Sequence, residues 1–140
     1  MMVLDTSGLL AAVDSSQRLH AAAREALESA SGPLLVSPFV LAELDYLVLS
    51  RIGHEQEAAL LGEVERGTYR LEPFSARDVA RAVEVIEHYM DFPELGLTGA
   101  SNVVLAERHG IHDILTLDER HFRAVRGPGG HSFRLLPADL

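Results

Sequence analysis

The sequence predicts an α/β domain on a mostly parallel sheet, and three observations lead there. Short apolar runs recur along the chain, each closed by a polar residue or a turn. Segments with helical spacing of apolar residues lie between them. Aspartate stands directly after two of the runs, where a strand would hand over to a helix.

Met2-Val3-Leu4 is the first strand, and Thr6 or Ser7 is placed to cap a helix running toward Val13. A polar helix from about Leu19 to Ala30 stops at Ser31-Gly32-Pro33. Leu34-Leu35-Val36 is the second strand. Ser37-Pro38 starts a helix with proline in its first turn, and Leu41, Leu44, Val48 and Ile52 share one face of it. Gly53 closes that helix, and another runs from His54 to Arg66. Tyr69-Arg70-Leu71 is the third strand. A helix after Ser75 has Val79, Val83 and Ile86 as its expected apolar stripe and is broken at Pro93. Gly96-Leu97-Thr98-Gly99 leads into a helix ending at His109-Gly110. Ile114 to Leu117 is the fourth strand, and Phe133 to Leu136, beyond a glycine turn, is the last. No repeat or linker interrupts the chain, so residues 1–140 are expected to form one domain.

Composition narrows the chemistry. Twelve basic residues against 21 acidic give a net charge of −9, so no global field draws the chain to nucleic acid or an anionic membrane. There is no cysteine, which excludes disulfides, thiolate metal sites and cysteine nucleophiles. All twelve basic residues are arginine. Without lysine there is no Walker A loop, no Schiff-base chemistry and no receiver-type phosphoaspartyl site. The most apolar uncharged stretch, Ser29 to Ala42, is too short to span a bilayer. An acid at Asp5 and the lack of a basic leader argue against a signal peptide, so a cytoplasmic location is expected.

Ligands of parallel sheets bind beyond the carboxyl ends of the strands, where the strand order reverses. Asp5 and Asp118 each follow a strand. Either alone reads as a helix cap; together they point to an acidic pocket. Glu43 lies in a helix of mostly apolar residues, where an ionised carboxylate facing a pocket needs a cation. Carboxylates without lysine or cysteine suit a hard ion with oxygen ligands, Mg²⁺ or its substitute Mn²⁺. Metal-assisted phosphodiester hydrolysis is the chemistry that follows.

Four segments carry a family resemblance: Val3-Leu4-Asp5-Thr6-Ser7, Val40-Leu41-Ala42-Glu43-Leu44, Leu95-Gly96-Leu97-Thr98-Gly99-Ala100-Ser101-Asn102, and Ile114 through Phe122. Together, and in this order, they resemble PIN-domain ribonucleases, in particular the VapC toxins of VapBC toxin–antitoxin modules. The resemblance implies a three-layer α/β/α sandwich with about five strands and an Mg²⁺-dependent acidic site that cuts structured RNA, a tRNA or ribosomal-RNA loop. It implies a VapB-type antitoxin as partner and a homodimer. By motif, Asp5, Glu43 and Asp118 match three of the family's acids, and Thr116 a hydroxyl position beside the last.

The chain departs from the pattern at Gly99, where the family has a further aspartate. Glycine offers no ligand atom, and Gly96 already serves the turn. Two accounts stand. The natural protein is a weakened relative, or an active toxin was inactivated by a one-base change so that it could be expressed. Either way the chain is expected to bind Mg²⁺ poorly and to cut slowly, or to act as a silent module that binds antitoxin or RNA. Arg120 and Arg123 are expected to flank the pocket mouth and hold RNA phosphates. Leu44, Leu47, Val48, Leu49, Ile52, Leu60 and Leu61 exceed what one core can face, which predicts an apolar groove for an antitoxin helix or a second copy. None of the seven histidines forms a zinc pattern, and His121 is the one nearest the acids.

Overall fold

A computed structural model describes residues 1–91 and 95–140. Among them, five strands form one parallel sheet: β1 (Met2–Leu4), β2 (Leu34–Val36), β3 (Arg70–Leu71), β4 (Asp113–Leu115) and β5 (Arg134–Leu136). Their order is β3-β2-β1-β4-β5. The connections are α1 (Thr6–Val13), α2 (His20–Ser29), α3 (Pro38–Arg51), α4 (His54–Glu65), α5 (Ala76–His88), α6 (Leu97–His109) and α7 (Glu119–Ala124). The chain moves outward from β1 to β3, then returns to the other side of β1 with β4. That reversal puts a cleft beyond the carboxyl ends of β1 and β4.

Alternation along the strands builds the three layers. Met2, Leu4, Val36, Leu115 and Leu136 face one way, into a core with Leu9, Leu27, Val40, Leu44, Val48 and Leu60 from α1–α4. Val3, Leu35, Ile114 and Leu135 face the other way, against Ala82, Val85, Val103, Val104 and Phe122. Ser37 caps α3 by accepting from the Phe39 N–H at 3.1 Å, with Pro38 in the first turn as expected. Ser75 and Asp78 form a reciprocal cap at the start of α5.

One glycine sets the depth of the cleft. A β-carbon on Gly8 would lie 2.4 Å from the Leu115 carbonyl oxygen, so only glycine lets the first turn of α1 press against the end of β4. Ser7 thereby reaches the loop after β4, where its Oγ accepts from the Leu117 N–H at 2.9 Å.

Several expectations need correction. Neither Thr6 nor Ser7 caps α1; Asp5 holds the cap position, and its carboxylate is drawn elsewhere. The fourth strand ends at Leu115, because Ser7 and Thr116 take over the N–H groups of Leu117 and Asp118. In α3 the buried line is Val40, Leu44 and Val48, with Leu41 half-buried and Ile52 exposed. In α5, Val79 and Val83 are exposed, and Ala82 and Val85 face the core. The helix lies close on α6, and the small Ala82 permits that approach where a row of valines would not. The expected break at Pro93 lies outside the described residues.

Candidate active site

Asp5 emerges from the central strand into the cleft and is 8% exposed. Its carboxylate is held from three directions. Oδ1 accepts from Asn102 Nδ2 on α6 at 2.8 Å; Oδ2 accepts from Thr116 Oγ1 at 2.7 Å and from Ser7 Oγ at 3.3 Å. Thr116, fully buried, also accepts the Asp118 N–H at 3.0 Å, so one hydroxyl ties the two acids' positions together. Burial pushes the Asp5 pKa up, the bonds from Thr116 and the Thr6 N–H oppose that, and the neighbouring Asp118 charge raises it further. The net direction is upward.

Asp118 both caps a helix and faces the cleft. Its Oδ1 accepts the His121 N–H at 3.2 Å as the cap of α7, and its Oδ2 faces His121 Nδ1 at 2.6 Å. Glu43 stands exposed on α3, on the same cleft, with no hydrogen-bond partner among the described residues. Asp45, beyond it on α3, turns to Glu57 of α4, and its pKa is raised by the bond to Glu57, with burial adding to it.

The cleft encloses about 430 Å³ and is lined by Asp5, Thr6, Ser7, Glu43, Gly99, Asp118 and His121, with Leu10, Leu47, Leu95 and Phe122 among its apolar walls. The three expected acids therefore share one cavity. They do not form a compact chelate: among the described residues no three acidic or imidazole side chains stand close enough together to hold an ion. Residue type still fits a hard cation. Among the described residues no arginine lines the cleft, two carboxylates are near enough to repel, and the buried Thr6 hydroxyl on the cleft wall lacks a partner. An ion here would draw on Asp5 and Asp118, with water completing its shell toward Glu43.

Position 99 faces this cavity. It sits three residues before Asn102 on α6, hence on the same face, and Asn102 reaches Asp5. Nothing in the backbone demands glycine there, as expected. The neighbouring Leu95 does use the space, since its Cδ1 is 2.7 Å from where a β-carbon would stand.

The arginines are placed differently from expectation. Neither Arg120 nor Arg123 lines the cleft. Arg123 is gripped by Asp139 at 2.7 and 2.8 Å and by Glu119 at 2.9 Å, an anchor for the C-terminal segment behind β5. Arg123 and the Leu135 N–H pull Asp139 down to about 2. Asn102 and Ser7 were absent from the candidate set. Both stood within the quoted motifs, and Asn102 could have been found as the position one helical turn beyond Gly99.

Over residues 2–128 the chain matches the family described as PIN domain. The chain belongs to the PIN-domain family. Within that family, this PIN domain is 43% identical over 136 residues to Ribonuclease VapC26 of Mycobacterium tuberculosis, covering 97% of this chain and all of that protein. Its fold is similar to crystal structures of VapC20 of Mycobacterium tuberculosis (TM-score 0.72, 21% identity, 84% of this chain and 90% of that one) and of VapBC2 of Rickettsia felis (TM-score 0.66, 18% identity, 96% and 97%). FitAcB of Neisseria gonorrhoeae is a third neighbour, at a TM-score of 0.64 and 17% identity over 85% of this chain and 88% of that one. The PIN-domain sandwich expected from the motifs is the fold observed.

Proposed function

We propose that this PIN domain is a cation-dependent endoribonuclease toxin, slowed by Gly99. The observation that carries the reading is the pairing of a buried Asp5 with Asp118 at the strand-order reversal, in a cleft that no arginine lines among the described residues. The name of its 43% identical relative, a ribonuclease, supports the activity. Asp5 and Asp118 would hold Mg²⁺ or Mn²⁺, with water bridging to Glu43, and the bound ion would supply an activated water and charge stabilisation for phosphodiester hydrolysis. Asn102, Thr116 and Ser7 fix the orientation of the Asp5 carboxylate. Structured RNA is the proposed substrate; a similar structure, VapC20, is described as cleaving the sarcin–ricin loop. The competing reading, a silent module that binds antitoxin or RNA without cutting, draws on Gly99 alone.

Arg120, exposed on the same short helix as the cleft residues His121 and Phe122, is the proposed phosphate contact. Incubation with ribosomal RNA and tRNA should give slow, discrete cleavage in Mn²⁺ and none in EDTA. Arg120→Ala should weaken RNA binding and lower its salt slope by about 1. Cleavage that persists unchanged in EDTA contradicts the cation reading, and an unchanged slope contradicts the arginine's role.

Leu44, Val48 and Leu60 fill the core, but Tyr46 (69%) and Leu49 (45%) on α3, Ile52 (37%) just after it and Leu61 (39%) on α4 remain exposed. We assign this face to the apolar side of an antitoxin helix of VapB type, with an antitoxin arginine entering the acidic cleft. The neighbouring VapBC2 structure supports such a partner. Tyr46→Glu with Leu49→Glu should reduce antitoxin affinity at least about tenfold, as loss of two central apolar contacts does. If that pair instead dissolves a homodimer and leaves antitoxin binding intact, the face belongs to a second copy.

A further inference from the structure

We infer that His121 is a positioning residue: its imidazole holds the Asp118 carboxylate in the orientation that a cation in the cleft requires. The inference rests on the cation reading above. Asp5 is steadied by donors from three separate parts of the fold, whereas among the described residues the Asp118 carboxylate accepts from His121 alone, through its backbone N–H and its ring. The Asp118 side chain is 38% exposed, so the surrounding packing does little to hold it.

The imidazole contact is surplus to helix capping. A cap needs one oxygen on one backbone N–H, and Oδ1 on the His121 N–H supplies that. Oδ2 faces Nδ1 at 2.6 Å, with the ring only 12% exposed and on the cleft wall. An ionised carboxylate can only accept, so Nδ1 carries the proton. That nitrogen is committed to the carboxylate and is no cation ligand. With both oxygens engaged by one residue, the carboxylate plane is fixed, and the remaining lone pairs point in set directions. Gly99 leaves the cleft short of an anion, which makes the aim of the remaining ones weigh more.

The test is a Mn²⁺ titration, followed by the EPR signal of the free ion, on the full chain and on His121→Ala, His121→Leu and His121→Asn. Asparagine can offer its Nδ2 where Nδ1 stands; leucine keeps the volume without a donor. Ala and Leu should lose about tenfold or more in Mn²⁺ affinity, and Asn should stay within about threefold of the parent. Far-UV circular dichroism in EDTA should be the same in all four, a readout that a merely structural role would disturb. Should His121→Ala fail to fold, the Leu and Asn variants carry the comparison. Equal affinity in Leu, Asn and parent overturns the inference while leaving the cation reading intact. A parent that binds no Mn²⁺ at millimolar concentration overturns the cation reading, and the inference with it.

Discussion

Asp5→Asn should abolish RNA cleavage and at the same time make the protein more stable at neutral pH in EDTA. The two effects share one cause. Asp5 is 8% exposed beside Asp118, and burial and that neighbour hold its pKa above the ordinary 3.8. A carboxyl raised in the folded state contributes stability that is fully present below its unfolded pKa and is lost as pH rises through the folded value. At pH 7 the ionised Asp5 is therefore a net cost to the fold. Asparagine removes the charge yet can accept from Asn102 and donate to the Thr116 and Ser7 hydroxyls, which rotate to suit. The melting temperature should rise by roughly 3 °C or more, as about 1 kcal/mol gives in a domain of this size. The gap should close as the pH is lowered through the raised pKa of Asp5, where the carboxylate takes up its proton. Cleavage in Mn²⁺ should fall at least about a hundredfold, roughly 3 kcal/mol of transition-state stabilisation. A variant less stable than the parent at pH 7 would show that the charge is a structural asset, and the acidic cleft would lose its explanation.

Gly99→Asp should move activity the other way. Position 99 shares the cavity face of α6 with Asn102, so a carboxylate there would join Asp5 and Asp118. The obstacle is steric. Leu95 is buried, and its Cδ1 lies 2.7 Å from the new β-carbon, so the methyl must swing away at a cost of about 1 kcal/mol. Gly99→Ala meets the same methyl without gaining a ligand, and the comparison between the two variants isolates the carboxylate. Cleavage by the Asp variant should exceed that of the Ala variant by about a hundredfold at limiting Mg²⁺. In EDTA the Asp variant should melt below the Ala variant, because a third acid adds repulsion without a cation to relieve it. Equal cleavage by the two variants would mean that an extra carboxylate at this position adds nothing to catalysis.

Much of this site was legible because it is built at strand ends. A short apolar run followed by aspartate is a local signal, and it located Asp5 and Asp118 before their meeting in space was known. Thr116 followed from the motif. What escaped was set by contacts between distant parts of the chain. Asn102 reaches Asp5 across 97 positions, and no periodicity in α6 marks it as different from Val103 or Val104. Arg123 read as a phosphate ligand because its neighbours on α7 suggested a basic mouth. The C-terminal segment brings Asp139 onto it from 16 residues away. In α5 Val79 and Val83 point outward while Ile86 of the same stripe packs against the core, since closeness to α6 favoured Ala82 over valine. Helical periodicity finds a face, but the neighbour decides which face is buried.

The central claim, that a cation sits between Asp5 and Asp118, is tested most directly by anomalous scattering from crystals of the unaltered chain grown in Mn²⁺. The account predicts a peak within coordination distance of both carboxylates, lost in Asp5→Asn crystals grown the same way. A clean map in this cleft, with manganese ordered elsewhere on the molecule, would contradict it.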